Sequence, residues 1–283
     1  MAYAAKLEQL SEHFSKDSNH VYMHKQILPN ADPATFELIT PFSAKDKTHV
    51  FIGNQLIEGA DPRTFQFFGP EIDMWGIPMQ LYAKDKIHVY YMGHLIEGAT
   101  PDNFRILGNA YSTNNIHIWE ESTLLNVSHP QTFEVLGGFY TRDKNYAYFH
   151  NEPLQDVDSA TFEVFSDIRY TKDKNTVWLY RQPIESADAG SFEVLQHDFA
   201  RDATHVFFIL KVVAGAHSSS FNVIDRYFSK DKYRVYYKGV SIAGADPDSF
   251  VTLGQGYAKD KRQVYNRSKV LTNADPLTFQ VPP

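Results

Sequence analysis

The sequence predicts an all-β protein, a tandem array of nine three-stranded units, each roughly 29 residues long. Three observations predict it. An Asp or Asn opens each copy, at Asp17, Asp46, Asp85, Asn114, Asp143, Asp173, Asp202, Asp231 and Asp260. An aromatic residue always lies five positions on, from Tyr22 and Phe51 through Trp119 to Tyr265. A Phe always lies nineteen positions on, from Phe36 to Phe279. The anchors are 29 or 30 residues apart except for one step of 39.

Each element of the unit has a local reason. Val89-Tyr90-Tyr91 is β-branched and aromatic, so it reads as a strand. Met92-Gly93-His94 supplies a turn, because Gly tolerates positive φ. Leu95-Ile96-Glu97 begins the return strand of a hairpin, and the position eleven after the anchor is aliphatic in every copy. Ala60-Asp61-Pro62-Arg63-Thr64-Phe65 places Asp at a cap and Pro at a first helical position, so a single helical or 3₁₀ turn is expected before Phe enters the core. Phe133-Glu134-Val135-Leu136 is the third strand, and its end leads into the next Tyr-x-Lys-Asp turn.

One such unit is too small to bury its own aromatic face, so neighbours must stack. The expectation is a single repeat domain over residues 1–283, with a short cap at 1–13 and an insertion near 68–80. An elongated, curved array is preferred over a closed β-propeller, because four-stranded blades usually need about 40 residues or more.

Composition narrows the class. The chain has no Cys, which removes disulfides and thiolate metal sites. The start, Met1-Ala-Tyr-Ala-Ala-Lys, has no basic segment followed by an apolar run, and no stretch reaches the ~18 apolar residues of a membrane span. A soluble, cytoplasmic protein is expected, with no membrane partner. The net charge of −7 is uneven: nine basic and five acidic residues lie from Phe228 onward, against eighteen and twenty-nine before it. The acidic part should attract basic surfaces and repel bare nucleic acid.

Asp143-Lys144-Asn145-Tyr146-Ala147-Tyr148 and Asp231-Lys232-Tyr233-Arg234-Val235-Tyr236-Tyr237 resemble the signature of the DKNYY family of bacterial proteins. The resemblance extends over essentially the whole chain. It implies no reaction, because that family is named for its sequence. Some members are similar to immunity proteins of interbacterial toxin systems, among them one that neutralises a type VI secretion DNase effector of the Tox-GHH class.

The residues that suggest chemistry fall on the repeat. Lys follows the anchor Asp in six of nine copies, where calcium would need another carboxylate, so the Asp ladder reads as turn-forming. His20, His49, His88, His117 and His205 share one repeat position and do not cluster as metal ligands do. His20 and His24 would lie ~13 Å apart on a strand, too far for one zinc. Glu120 and Glu121 would point to opposite faces of a strand, a poor acid/base pair. No nucleophile elbow, P-loop or dinucleotide fingerprint occurs. No catalytic residue, metal or cofactor is expected.

Function is therefore expected where the repeat breaks. The insertion after Phe67 carries Glu71, Asp73, Met74, Trp75, Ile77 and Met79, and no Lys or Arg lies between Arg63 and Lys84. Trp and Met among acids is the composition of an interface anchor. The fourth copy has no Lys or Arg between Arg105 and Arg142, and Glu120 stands where the third copy has Tyr91. Copy seven also departs, with His217 for Asp and the run Phe207-Phe208-Ile209-Leu210, which reads as core. The expected role is a non-catalytic protein-binding inhibitor, a cytoplasmic immunity protein that occludes a basic nuclease toxin. Glu71, Asp73, Met74, Trp75, Glu120 and Glu121 are the expected contacts. A general peptide-binding scaffold and a glycan-active enzyme are the alternatives.

Overall fold

The computed structural model describes residues 6–69 and 80–282. Among them are nine antiparallel sheets in tandem, each a meander of four strands. The second sheet is representative: Glu37–Thr40, Ser43–Lys45, Val50–Ile52 and Gln55–Leu56. Its register pairs Leu38 with Ala44, Ala44 with Phe51, and Phe51 with Leu56.

The unit thus has four strands where three are expected. The additional strand is the three-residue segment just ahead of each anchor, such as Ser43–Lys45, Tyr82–Lys84 or Phe199–Arg201. It shows no polar–apolar alternation because its central residue is small and buried, as Ala44, Ala83, Ser112, Thr141, Ala200, Ser229 and Ala258 are. A small buried residue there admits large side chains from neighbouring strands, and the hydrophobic period that marks a strand disappears.

The hairpin after the anchor forms as its residues predict. Tyr91 pairs with His94 across Met92 and Gly93, whose φ values of 48° and 84° are both left-handed. This mirrored turn matches the twist of short antiparallel strands. The turn before Phe is a defined 3₁₀ helix at Pro130–Thr132, Ser159–Thr161 and Ser218–Ser220, and the Asp158 side chain caps the second of these. The copy-seven run is only partly core: Phe207 is buried, whereas Ile209 opens the hairpin turn at φ 57° and is exposed.

The chain forms two compact bodies, Met1–Val135 with Thr141–Asn151, and Leu136–Tyr140 with Glu152–Pro283. Each has its core between successive sheets. In the first, Phe36 packs against Phe14 on one sheet and Phe51 on the next, with ring centroids 5.6 and 5.9 Å apart. In the second, Phe192 sits likewise between Tyr170 and Phe207. Burying one such side chain contributes about 1.5–3 kcal/mol.

Candidate functional site

The anchor carboxylate explains the most regular part of the sequence. At Asp85, Oδ1 accepts the N–H of Ile87 and of His88, both at 2.7 Å. Oδ2 accepts the Asp61 N–H from the preceding repeat and the Tyr90 hydroxyl, both at 3.0 Å. One carboxylate thus closes its own turn, ties two repeats together and satisfies the aromatic five positions on. Burial pushes this carboxyl up, but the four donors outweigh it and hold it below the usual range. Tyr90 is pushed up, first by burial and then by its bond to the carboxylate. Asp143, Asp231 and Asp260 repeat the arrangement with Tyr148, Tyr236 and Tyr265.

Other polar repeat positions serve the same junctions. The residue before the anchor reaches a carbonyl seventeen residues on, as Lys45 Nζ does to Pro62 and Lys259 Nζ to Pro276. The residue after it donates its N–H to a hydroxyl of the preceding repeat, as Lys47 does to Thr35 and Lys232 to Ser220. His49, His88 and His205 place Nδ1 3.4–3.5 Å from their own anchor carboxylates. His20 and His24 flank the strand Val21–Met23 and neither lies on it; His24 is in the following turn, and its ring meets His13 edge-on at 4.9 Å. Among the described residues, no group of three His, Cys, Asp or Glu side chains is placed to hold a metal.

The acidic candidates separate. Glu71, Asp73, Met74 and Trp75 lie outside the described residues. Phe68, the start of the expected insertion, is a strand residue: it pairs with Tyr82 and its ring packs against Tyr82 and Phe104. Glu120 ends the strand Ile118–Glu120 and is half-buried. Its Oε2 accepts the Asn151 amide at 2.6 Å, and Asn151 Oδ1 accepts the Tyr111 hydroxyl. Glu120 is thus held inside the protein's own network. Glu121 is not on the strand: it opens the following turn at φ 56°, with its side chain exposed. The two acids therefore differ in availability, which alternation on a strand does not predict.

Two residues that matter as much escape the composition argument. Ile87 and Ile116, two positions after their anchors, are 63% and 64% exposed. The same position is Asn19, Thr48, Asn145, Asn175, Thr204, Tyr233 and Arg262 in the other repeats. The Asx turn needs only the backbone N–H of this residue, so its side chain is free, and most repeats make it polar. Only the third and fourth make it aliphatic. Met92, Leu95 and Leu124 of the same two repeats are exposed as well. Aligning the repeats at this position would have revealed the pair.

The fold and its junctions define a tandem β-repeat protein in which buried aspartates join most repeats to the one before. A family model described as the DKNYY family matches residues 42–182, 111–240 and 228–281, and the chain belongs to that family. No curated protein and no solved structure matches it. Among the described residues, no helix is long and apolar enough to cross a membrane.

Proposed function

We propose that this protein is a non-catalytic binding protein whose third and fourth repeats dock a basic protein partner, and that the partner is a nuclease toxin neutralised by occlusion. The observation that carries the reading is the exposed pair Ile87 and Ile116, in repeats that also expose Glu121 and that have no Lys or Arg between Arg105 and Arg142. Exposed aliphatic side chains on repeats poor in basic residues suit a partner with an apolar centre and a basic rim. The long-range field steers the encounter, and the aliphatic side chains gain from burial. The regular Asp and His positions are engaged in turns and junctions, which directs attention to this irregular surface. The immunity role rests on the family resemblance and on this charge pattern.

The test is co-expression with the protein encoded by the adjacent reading frame, followed by binding of the purified pair. The neighbour should be toxic alone and harmless with this chain. Ile87→Asn with Ile116→Asn installs the residue that repeats five and six already carry, so the melt should be unchanged. Adding Glu121→Lys should then weaken the complex by on the order of 100-fold. A harmless neighbour, or undiminished binding by the triple variant, would refute the proposal.

A further inference from the structure

The eighth and ninth repeats separate their charges. Strands of a meander alternate in direction, so the anchor turns lie at one end of each sheet and the hairpin tips at the other. The turn before the second strand shares the tip end, since the Lys238 N–H donates to the Tyr227 carbonyl at 2.8 Å. From Phe228 onward the acids are Asp231, Asp246, Asp248, Asp260 and Asp275, all in anchor or pre-Phe turns. The tip end holds Arg226, Lys238, Arg267 and Lys269, all exposed. Asp225 also lies there, but its carboxylate closes its own turn, accepting the N–H groups of Tyr227 and Phe228 at 2.7 and 2.8 Å. Asp198, at the same end of the preceding sheet, is held by Arg169 at 2.6 Å. Lys261 with Asp246 forms an ion pair in these two repeats, and it sits at the anchor end.

The same tip end carries an aromatic platform. Tyr227 and Tyr237 are half-buried and parallel, with centroids 6.1 Å and planes 6° apart. Arg226 and Lys238 lie over the Tyr227 ring at 5.3 and 5.8 Å. Tyr227 stands four residues before its anchor, where side chains of successive repeats touch: His13 meets Phe42 at 5.2 Å, and Arg169 meets Asp198. In the ninth repeat that position is Gly256. Among the described residues, the atom within 4 Å of the place its Cβ would take is Arg267 Cγ, at 3.5 Å. Tyr227 therefore faces repeat nine across a gap that a side chain fills elsewhere.

We infer that the tip end of repeats eight and nine binds single-stranded nucleic acid. A base stacks on Tyr227 in the space that Gly256 leaves, and Arg226, Lys238, Arg267 and Lys269 hold the flanking phosphates. Parallel rings set among cations suit a ligand that alternates flat bases with negative charges. An acidic peptide offers the charges without the flat faces, and has no use for the gap beside Tyr227. Ring faces and point charges do not read base edges, so binding tolerates any sequence. The inference does not depend on the partner proposed for repeats three and four.

Fluorescence anisotropy of the full chain with a labelled strand of about fifteen thymidines should show micromolar binding at about 50 mM salt. Four phosphate contacts should give a slope of log K against log salt of about −3. The test variants copy other repeats, so their melts should stay near wild type: Tyr227→Ala copies Ala110, Gly256→Phe copies Phe139, and Lys238→Glu and Arg267→Glu copy Glu121, all at positive φ. Tyr227→Ala and Gly256→Phe should each weaken binding about 10-fold while keeping the salt slope, and Tyr227→Phe should bind as wild type. Lys238→Glu with Arg267→Glu should weaken binding on the order of 100-fold and flatten the slope. A wild-type chain that fails to bind at about 50 µM would overturn the inference. So would binding that either Tyr227→Ala or Gly256→Phe leaves intact, or equal affinity for a labelled glutamate polymer or for phosphatidylserine vesicles.

Discussion

Replacing Asp231 by Asn preserves the shape of the side chain and reverses the polarity of one end. Oδ1 accepts the N–H groups of Tyr233 and Arg234 at 2.7 and 2.8 Å, and the Asn carbonyl can keep both. Oδ2 accepts the His217 N–H at 2.8 Å and the Tyr236 hydroxyl at 2.7 Å, and an amide NH₂ there would face two donors. The site is 3% exposed, so water cannot replace the lost acceptor. The Tyr236 hydroxyl can turn to the Gly215 carbonyl at 3.3 Å, but among the described residues the His217 N–H has no second acceptor. One stranded donor plus a lost charge-assisted bond gives about 3 kcal/mol. Repeat four shows the exception: Asn114 occurs where Trp119 replaces Tyr and donates to the Glu97 carbonyl instead. A tandem array need not unfold in one step, so the assay should be local. Amide exchange at His217 should accelerate on the order of 100-fold, with Asp246 as the undisturbed control. Burial pushes the Asp231 carboxyl up, but its donors win and leave it lowered. The wild-type advantage is therefore complete above the ordinary aspartate value of about 3.9 and is lost as pH falls through the lower folded value. Unchanged exchange at His217, or a stability within about 0.5 kcal/mol of wild type, would refute the reasoning.

Three further outcomes follow from the same geometry. Phe192→Ala should cost about 3–5 kcal/mol, because the ring is buried against Tyr170 and Phe207; Phe279→Ala, at the same repeat position, should cost less than about 1.5 kcal/mol in urea unfolding at low concentration. Gly93→Ala should cost about 1–2 kcal/mol, since φ is 84° and the new Cβ would lie 2.7 Å from Ile57 Cδ1; an unchanged melting temperature would show that the turn relaxes freely. Tyr148 is pushed up to about 12, by burial first and then by its bond to Asp143. Its folded value is raised, so its contribution is whole below pH about 10 and is lost as pH rises toward 12. Spectrophotometric titration should place Tyr148 among the late-ionising tyrosines, and loss of that fraction in Tyr148→Phe checks it.

How much was legible can be judged residue by residue. The anchor Asp, the aromatic five positions on and the Phe nineteen on are visible because stacked identical units repeat identical contacts. The sequence also placed the anchor Asp in turns, and Oδ1 does close one. It did not show that Oδ2 reaches back to the preceding repeat, because that partner is a backbone N–H fourteen or more residues earlier, and a backbone group carries no side-chain signal. The fourth strand was missed for a related reason: Ala44 and its counterparts are chosen for small size in a crowded layer, which erases alternation. At the candidate surface, composition singled out Glu120 and Glu121 together, yet one is bound to Asn151 and the other is exposed on a turn.

The sequence by itself determined the all-β class, the number of repeats and the identity of the core ring, since each follows from local periodicity. Only the tertiary structure decided which polar groups are already satisfied and which remain available. That depends on partners distant in the chain: Asn151 consumes Glu120, Asp61 consumes Asp85, and nothing among the described residues covers Ile87 or Ile116.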